Sequence, residues 1–176
     1  MNAYKNLIRP VLFKLEAERA HDLAIQIASR SGELSFLGSA LSAYTTVHDN
    51  RLVHEVAGIR FENPIGLAAG YDKSGRAVDG LTTLGFGHIE VGSVSLNPSD
   101  GNPKPRLFRL PEDEAVIVHY GLQNEGSRVV IDRLSRRNTP VPVGINIVKT
   151  NRGINAPAES AEDIIDEYVS AVKIVQ

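Results

Sequence analysis

The amino-acid sequence predicts an α/β fold, made of parallel βαβ units behind a small helical head. Three observations carry this. Short apolar runs with strand texture, IGLAAG at 65–70, HIEVGSV at 88–94 and VGINIV at 143–148, alternate with segments of helical periodicity. The residues closing these runs are small or polar, as at the ligand-facing ends of parallel strands. Before residue 50, by contrast, the apolar pattern is helical. Such alternation predicts a parallel sheet, either covered on both faces or closed into a barrel. A boundary near residue 50 separates a helical head (1–50) from the βα region (51–176).

Each element follows from its pattern. Tyr4, Leu7, Ile8, Val11, Leu12 and Leu15 lie on one face of a helix over 2–15, with Lys5, Arg9 and Lys14 on or beside the other face. Pro10 kinks or divides that helix. A second helix spans 16–29, with Ala17, Ala20, Leu23, Ala24, Ile27 and Ala28 on its apolar side, and Gly32 can end it. Residues 35–50 are ambiguous. RLVHEVAGIRF (51–61) reads as a hairpin turning at Ala57-Gly58.

After the first strand, 76–84 forms a helix with Val78, Leu81 and Leu84 inward, broken by Gly85 and Gly87. The second strand is 88–94. The 24 residues of 95–118 contain Pro98, Pro103, Pro105 and Pro111 and are too long for a plain connection. Leu107, Phe108, Leu110, Val116 and Ile117 argue that this stretch is ordered. A helix over 124–136 and the strand 143–148 follow. Ser160 and Asp163 form a capping box for a last helix burying Ile164, Ile165, Tyr168 and Val172.

Composition narrows the function. With 19 basic and 21 acidic residues the net charge is -2, which excludes a broadly basic nucleic-acid surface. The chain has no cysteine, so disulfides, thiolate metal sites and cysteine nucleophiles are excluded. No apolar stretch reaches the length of a membrane span, and charges interrupt the apolar residues at the start too often for a secretory signal. His21, His48, His54, His88 and His119 show no metal-ligand spacing, so no metal is predicted. Gly85 and Gly87 do not complete G-x-G-x-x-G, because position 90 is Glu90, and Gly70 to Gly75 lacks the ending of a P-loop.

The three strand ends read Ala69-Gly70-Tyr71-Asp72-Lys73, Gly92-Ser93-Val94-Ser95 and Asn146-Ile147-Val148-Lys149. One polar site spanning them is the economical reading. Taken alone, Lys73 reads as a surface lysine, Ser93 as a routine loop hydroxyl, and Asn146 equally well as a partner for strand-end backbone.

These segments resemble one family. NPIGLAAGYDKSG (63–75), LGFGHIEVGSVS (84–95), GNPKPRLFRLPEDEAVI (101–117), VGINIVKTN (143–151) and ERAHDLA (18–24) are similar to the quinone-linked, membrane-associated class of dihydroorotate dehydrogenase. The resemblance covers essentially the whole chain and is carried most specifically by the proline-rich segment. It implies the N-terminal part of a (β/α)8 TIM barrel behind a head that sits on the membrane. It implies FMN as cofactor, dihydroorotate and orotate as substrate and product, and ubiquinone or menaquinone as electron acceptor. It implies a peripheral location on the cytoplasmic face of the cell membrane, contacted through residues 1–30. For the first helix, a merely packed amphipathic role is the competing reading.

By the same resemblance, Ala69, Gly70, Tyr71, Asp72, Lys73, Ser93 and Asn146 line the flavin, with Ser93 where threonine is usual. Lys73, Val118, His119, Tyr120, Gly121 and Leu122 face the substrate. VHYGLQN (118–124) departs from the family pattern of roughly Asn-Arg-Met-Gly-Phe-Asn-Asn. Val118 cannot make the hydrogen bond of the asparagine it replaces, a loss of about 1–3 kcal/mol. Val148 stands where glycine is usual. A full barrel needs eight strands, and the serine base of the family is expected beyond residue 176, so no catalytic residue is assigned within the chain. The alternatives are a catalytically degenerate member serving as a binding module, and a flavin oxidoreductase of altered substrate.

Overall fold

The computed structural model describes residues 4–33 and 35–176. The chain opens with a π-helical turn, Tyr4–Ile8, that continues as α1, Arg9–Leu12. Pro10, at the start of α1, has no N–H to donate backward, so the helix changes type there. The predicted helix is thus divided, and residues 2 and 3 lie outside those described. Tyr4, Leu7, Ile8 and Val11 face solvent, and Leu7 is 71% exposed.

Helix α2, Ala17–Glu33, runs beyond the predicted end at 29. Gly32 does not end it. A Cβ on Gly32 would meet Asp79 Cβ at 2.6 Å, and one on Gly80 would meet the Ala28 carbonyl oxygen at 1.9 Å. These glycines let α2 cross α4, Val78–Thr82, at backbone contact. The face of α2 is also rotated from the predicted one. Ala20 is buried, Ile25 and Ala28 pack against the core, and Leu23 and Ile27 point outward. The ambiguous stretch 35–50 contains helix α3, Ser35–Thr45.

Strands β1, His54–Val56, and β2, Ile59–Phe61, form the predicted hairpin, with Ala57 and Gly58 at positive φ in the turn. The main sheet has three parallel strands in the order β3 (Gly66–Leu67), β4 (His88–Val94), β7 (Val143–Ile147). Each is followed by a helix: α4, then α5 (Ser127–Ser135), then α6 (Ala161–Val175). The order therefore follows the chain, as in the wall of a βα barrel.

Strand β4 is the centre of the sheet and the core. Ile89, Val91 and Val94 are buried against Ala77, Val78 and Leu81 from the α4 region and Val130 of α5. At about 25 cal/mol per Å² of apolar surface, each of these larger side chains contributes on the order of 2 kcal/mol. Leu84, predicted inward, lies beyond the end of α4 and is largely exposed. The pairing of β4 with β7 shifts register between Val91 and Val94, at one of the predicted ligand-facing strand ends.

The stretch 95–118 is ordered and holds a second hairpin, β5 (Leu107–Leu110) with β6 (Ala115–Val118). Its base is tied by Ser99 pairing with Asn124. Helix α5 starts later than predicted, because the Asn124 side chain is committed to the backbone of Ser95 and Gly126. Helix α6 carries the expected capping box, Ser160 with Asp163. Its buried residues are Glu167 and Ala171, with Ile164 half-buried, whereas Ile165, Tyr168 and Val172 are exposed. The predicted burial of those three is corrected. Glu167 turns inward because its carboxylate accepts from the Thr150 amide at 2.6 Å and from the Thr150 hydroxyl.

Candidate functional site

The carboxyl ends of β3, β4 and β7 are joined by backbone. The Gly70 amide donates to the Gly92 carbonyl at 2.7 Å, the Gly92 amide to the Asp72 carbonyl at 3.3 Å, and the Val148 amide to the Val94 carbonyl at 2.9 Å. Gly70 has φ +106° and open space where a Cβ would stand. Such a position lets a flat ligand approach the backbone closely. Ser93 and Asn146 form no hydrogen bond from their side chains among the described residues. They present a hydroxyl and a carboxamide from neighbouring strands. Ala69 is half-buried beside them.

Lys73 does not project freely into solvent. Its Nζ donates to the Gly70 carbonyl at 2.6 Å and lies 4.1 Å from the centre of the Tyr120 ring. Burial lowers the Lys73 pKa from its ordinary value, partly countered by Glu18. Burial also pushes the Tyr120 phenol up to about 12, and its hydroxyl is enclosed with no partner. His21 completes the cluster, edge-on to Tyr71 at 5.1 Å and tilted to Tyr120 at 6.5 Å. Burial, then the Lys73 charge, lowers the His21 pKa below its ordinary value.

Asp72 is placed differently from its neighbours. It is 2% exposed, and its carboxylate accepts from the Arg76 amide at 2.9 Å and the Ala77 amide at 2.7 Å. It therefore braces the chain entering α4. The segment 118–122 divides as well. Tyr120 is brought to Lys73, and the Gly121 carbonyl accepts from Asn151 at 2.8 Å. His119 stacks on Phe108 at 5.9 Å, while Val118 and Leu122 are largely exposed.

A polar cavity of about 340 Å³ opens between α2 and these loops, lined among others by His21, Tyr71, Lys73, Arg106 and Asn124. On its floor lies a pair that sequence reasoning missed. Glu18, 4% exposed, and Arg106, 6% exposed, meet at 2.8 Å, and Lys104 adds a contact at 3.1 Å. Burial raises the Glu18 pKa, but hydrogen bonds from Arg106 and Lys104 outweigh it, leaving the pKa lowered. Arg106 also donates to the carbonyls of Asp100 at 2.6 Å and Asn102 at 2.8 Å. One guanidinium thus fastens the head to the loop beside Tyr120. The only local signal was Glu18 and His21, three residues apart on one helical face.

Three parallel βα units in chain order, with a polar cavity between helix α2 and the loop that follows β3, define a partial α/β barrel of the TIM type. Residues 51–176 match the family described as Dihydroorotate dehydrogenase, and the chain belongs to that family. A protein of Roseiflexus sp. (strain RS-1) named dihydroorotate dehydrogenase (quinone) is 48% identical, over 99% of this chain and 48% of its own length. Its namesake in Acidithiobacillus ferrooxidans is 43% identical, over 96% of this chain and 45% of its own. The chain thus spans about half the length of the curated relatives it matches. The crystal structure of ligand-free DHODH from Eimeria tenella superposes with a TM-score of 0.66 at 33% identity, covering 89% of this chain and 42% of that one.

Proposed function

We propose that this chain forms the N-terminal part of an enzyme that oxidises dihydroorotate to orotate and passes the electrons to a quinone. Family membership supports this reading, since the relatives above bear the name dihydroorotate dehydrogenase (quinone). The observation in the chain itself that carries it is Lys73, a half-buried ammonium held at the end of the first barrel strand by the Gly70 carbonyl and the Tyr120 ring.

The strand ends suit FMN: the space at Gly70 and the unpaired Ser93 and Asn146 side chains match a flat ring edged with hydrogen-bonding groups. When bound, FMN supplies the hydride acceptor of the reaction. Ala69, Gly70 and Tyr71 would form its floor, Ser93 and Asn146 would bond its edge, and Asp72 would hold the loop through the Arg76 and Ala77 amides. Lys73 binds and orients the anionic substrate, and a fixed cation there favours charge developing in the transition state. Tyr120 holds the lysine in place by the face of its ring. His119, Gly121 and Leu122 shape the substrate side, where Val118 contributes packing and no hydrogen bond. No residue of this chain is assigned as the proton-abstracting base.

The same reading places the protein peripherally on the cytoplasmic face of the membrane. The exposed stripe Tyr4, Leu7, Ile8 and Val11 supports contact of residues 1–30 with lipid, where ubiquinone or menaquinone would be met. Among the described residues no helix is long and apolar enough to cross a membrane.

The intact protein from its native source should carry the flavin absorbance and reduce a quinone with dihydroorotate. Its mass should be about twice that of this chain, as eight strands require. Lys73→Ala should lower kcat/KM by about 100-fold or more while leaving the thermal transition close to wild type. Native protein without flavin and without turnover would overturn the proposal.

A further inference from the structure

Beside the first cavity, and meeting it at Asp22, Ile25 and Arg76, a second groove of about 560 Å³ runs between α2 and α5. Four arginines from three parts of the chain line it: Arg30 on α2, Arg76 ahead of α4, Arg133 on α5, and Arg137 just beyond α5. Gln26 and Ser29 complete the α2 wall. Guanidinium groups do not lose their protons in proteins, so this charge persists at any working pH.

The carboxylates nearby do not balance it. Glu125 is shared, at 2.8 Å from Arg76 and 2.7 Å from Arg133. Asp79 lies 3.1 Å from Arg137 Nη1, an atom that is enclosed yet makes no hydrogen bond. Asp22 sits on the rim. Arg30 has no carboxylate partner among the described residues. Bridging between elements accounts for Arg76 and Arg133, which Glu125 joins, and for Arg137, which meets Asp79 and donates to the Arg76 carbonyl at 3.2 Å. It does not account for Arg30, which leaves four guanidiniums on the groove with three carboxylates near them.

We propose that this groove binds a phosphate group. Guanidiniums approaching from opposite walls, with the Gln26 amide and Ser29 hydroxyl on the α2 wall, suit a tetrahedral phosphate anion better than a planar carboxylate. The phosphate can belong to a small soluble ester or to a lipid headgroup. The outward Leu23 and Ile27 on the same helix would meet the acyl region in the second case.

The test uses the full-length protein and three variants. Calorimetry with inorganic phosphate at low ionic strength reads the soluble source. Co-sedimentation with phosphatidylglycerol-containing vesicles, against pure phosphatidylcholine, reads the lipid source. Ser29→Glu puts a carboxylate into the groove and should abolish binding. Arg30→Ala should weaken it by about tenfold, and Asp22→Asn should strengthen it severalfold, since a rim charge of the wrong sign is removed. Saturable phosphate binding with this order of variants supports the site with a soluble ligand. Phosphatidylglycerol-dependent sedimentation lost in Ser29→Glu supports it with a lipid. No binding in either assay, or binding indifferent to Ser29→Glu and Arg30→Ala, overturns it. Arg30 and Asp22 are exposed, so their variants keep the test decisive if Ser29→Glu perturbs folding. None of these readouts depends on catalysis, so the proposed oxidation can fail while this site stands.

Discussion

Single side chains at the cavity have measurable consequences. The Tyr120 hydroxyl is enclosed and unpartnered, and leaving such a group unsatisfied costs about 1–3 kcal/mol. Tyr120→Phe should therefore raise the melting temperature of the ligand-free protein by several degrees, while keeping the ring that faces Lys73. A lowered melting temperature would show that the hydroxyl has a partner in solution. Glu125 offers a test by pH. Hydrogen bonds from Arg76 first, and from Arg133 against the cost of burial, hold its carboxyl at about 2, below the ordinary 4.5. A pKa depressed by folding contributes stability that is complete above about 4.5 and lost as pH falls toward 2. Glu125→Gln should be less stable than wild type at pH 7, by about 1 kcal/mol because the pair is half-exposed and screened. Denaturation curves from pH 7 to 2.5 should show that gap closing below pH 4.5; a gap independent of pH would refute the assignment.

Among the elements, the crossing of α2 over α4 is the tightest contact. A methyl group on Gly80 would fall 1.9 Å from the Ala28 carbonyl oxygen, so the helices would have to separate. Gly80→Ala should cost about 1–3 kcal/mol and lower the melting temperature by several degrees, as calorimetry would show. The same crossing explains what the sequence did and did not disclose. Short apolar runs located β4 and β7, and the Ser160–Asp163 box located the start of α6, because those signals are local. Gly32 carries the same letter whether it ends a helix or admits a neighbour. The apolar stripe of α6 was visible, but which face a helix turns inward depends on its partners, and Glu167 is drawn in by Thr150 in the preceding loop. At the site, Lys73 could be suspected from its strand end, and Tyr120 only through the family resemblance. The pair Glu18 and Arg106 is 88 positions apart, so no local pattern joins its two members.

For the whole molecule, the three-stranded sheet has consequences that no residue shows alone. Among the described residues β3 and β7 each pair on one side only, with β4. Ile165, Tyr168, Val169 and Val172 form an exposed apolar face on α6. Unpaired parallel edges beside such a face favour self-association. The 176-residue chain expressed by itself should elute from a sizing column as heterogeneous oligomers, with Tyr168→Lys and Val172→Lys shifting it toward monomer. A sharp monomer peak for the unaltered chain would show that these surfaces are tolerated in water.

The buried union of Glu18 with Arg106 also bears on how the protein is made. The ribosome releases the glutamate first and its guanidinium partner 88 residues later. At about 5–20 residues per second, the interval is roughly 4 to 18 seconds. Throughout it the newborn head carries an acid without its guanidinium, although α4, against which α2 packs, emerges within the same interval. The tie between the head and the second hairpin can close only when that hairpin emerges, so the first part of the chain to be synthesised waits for its last fastening.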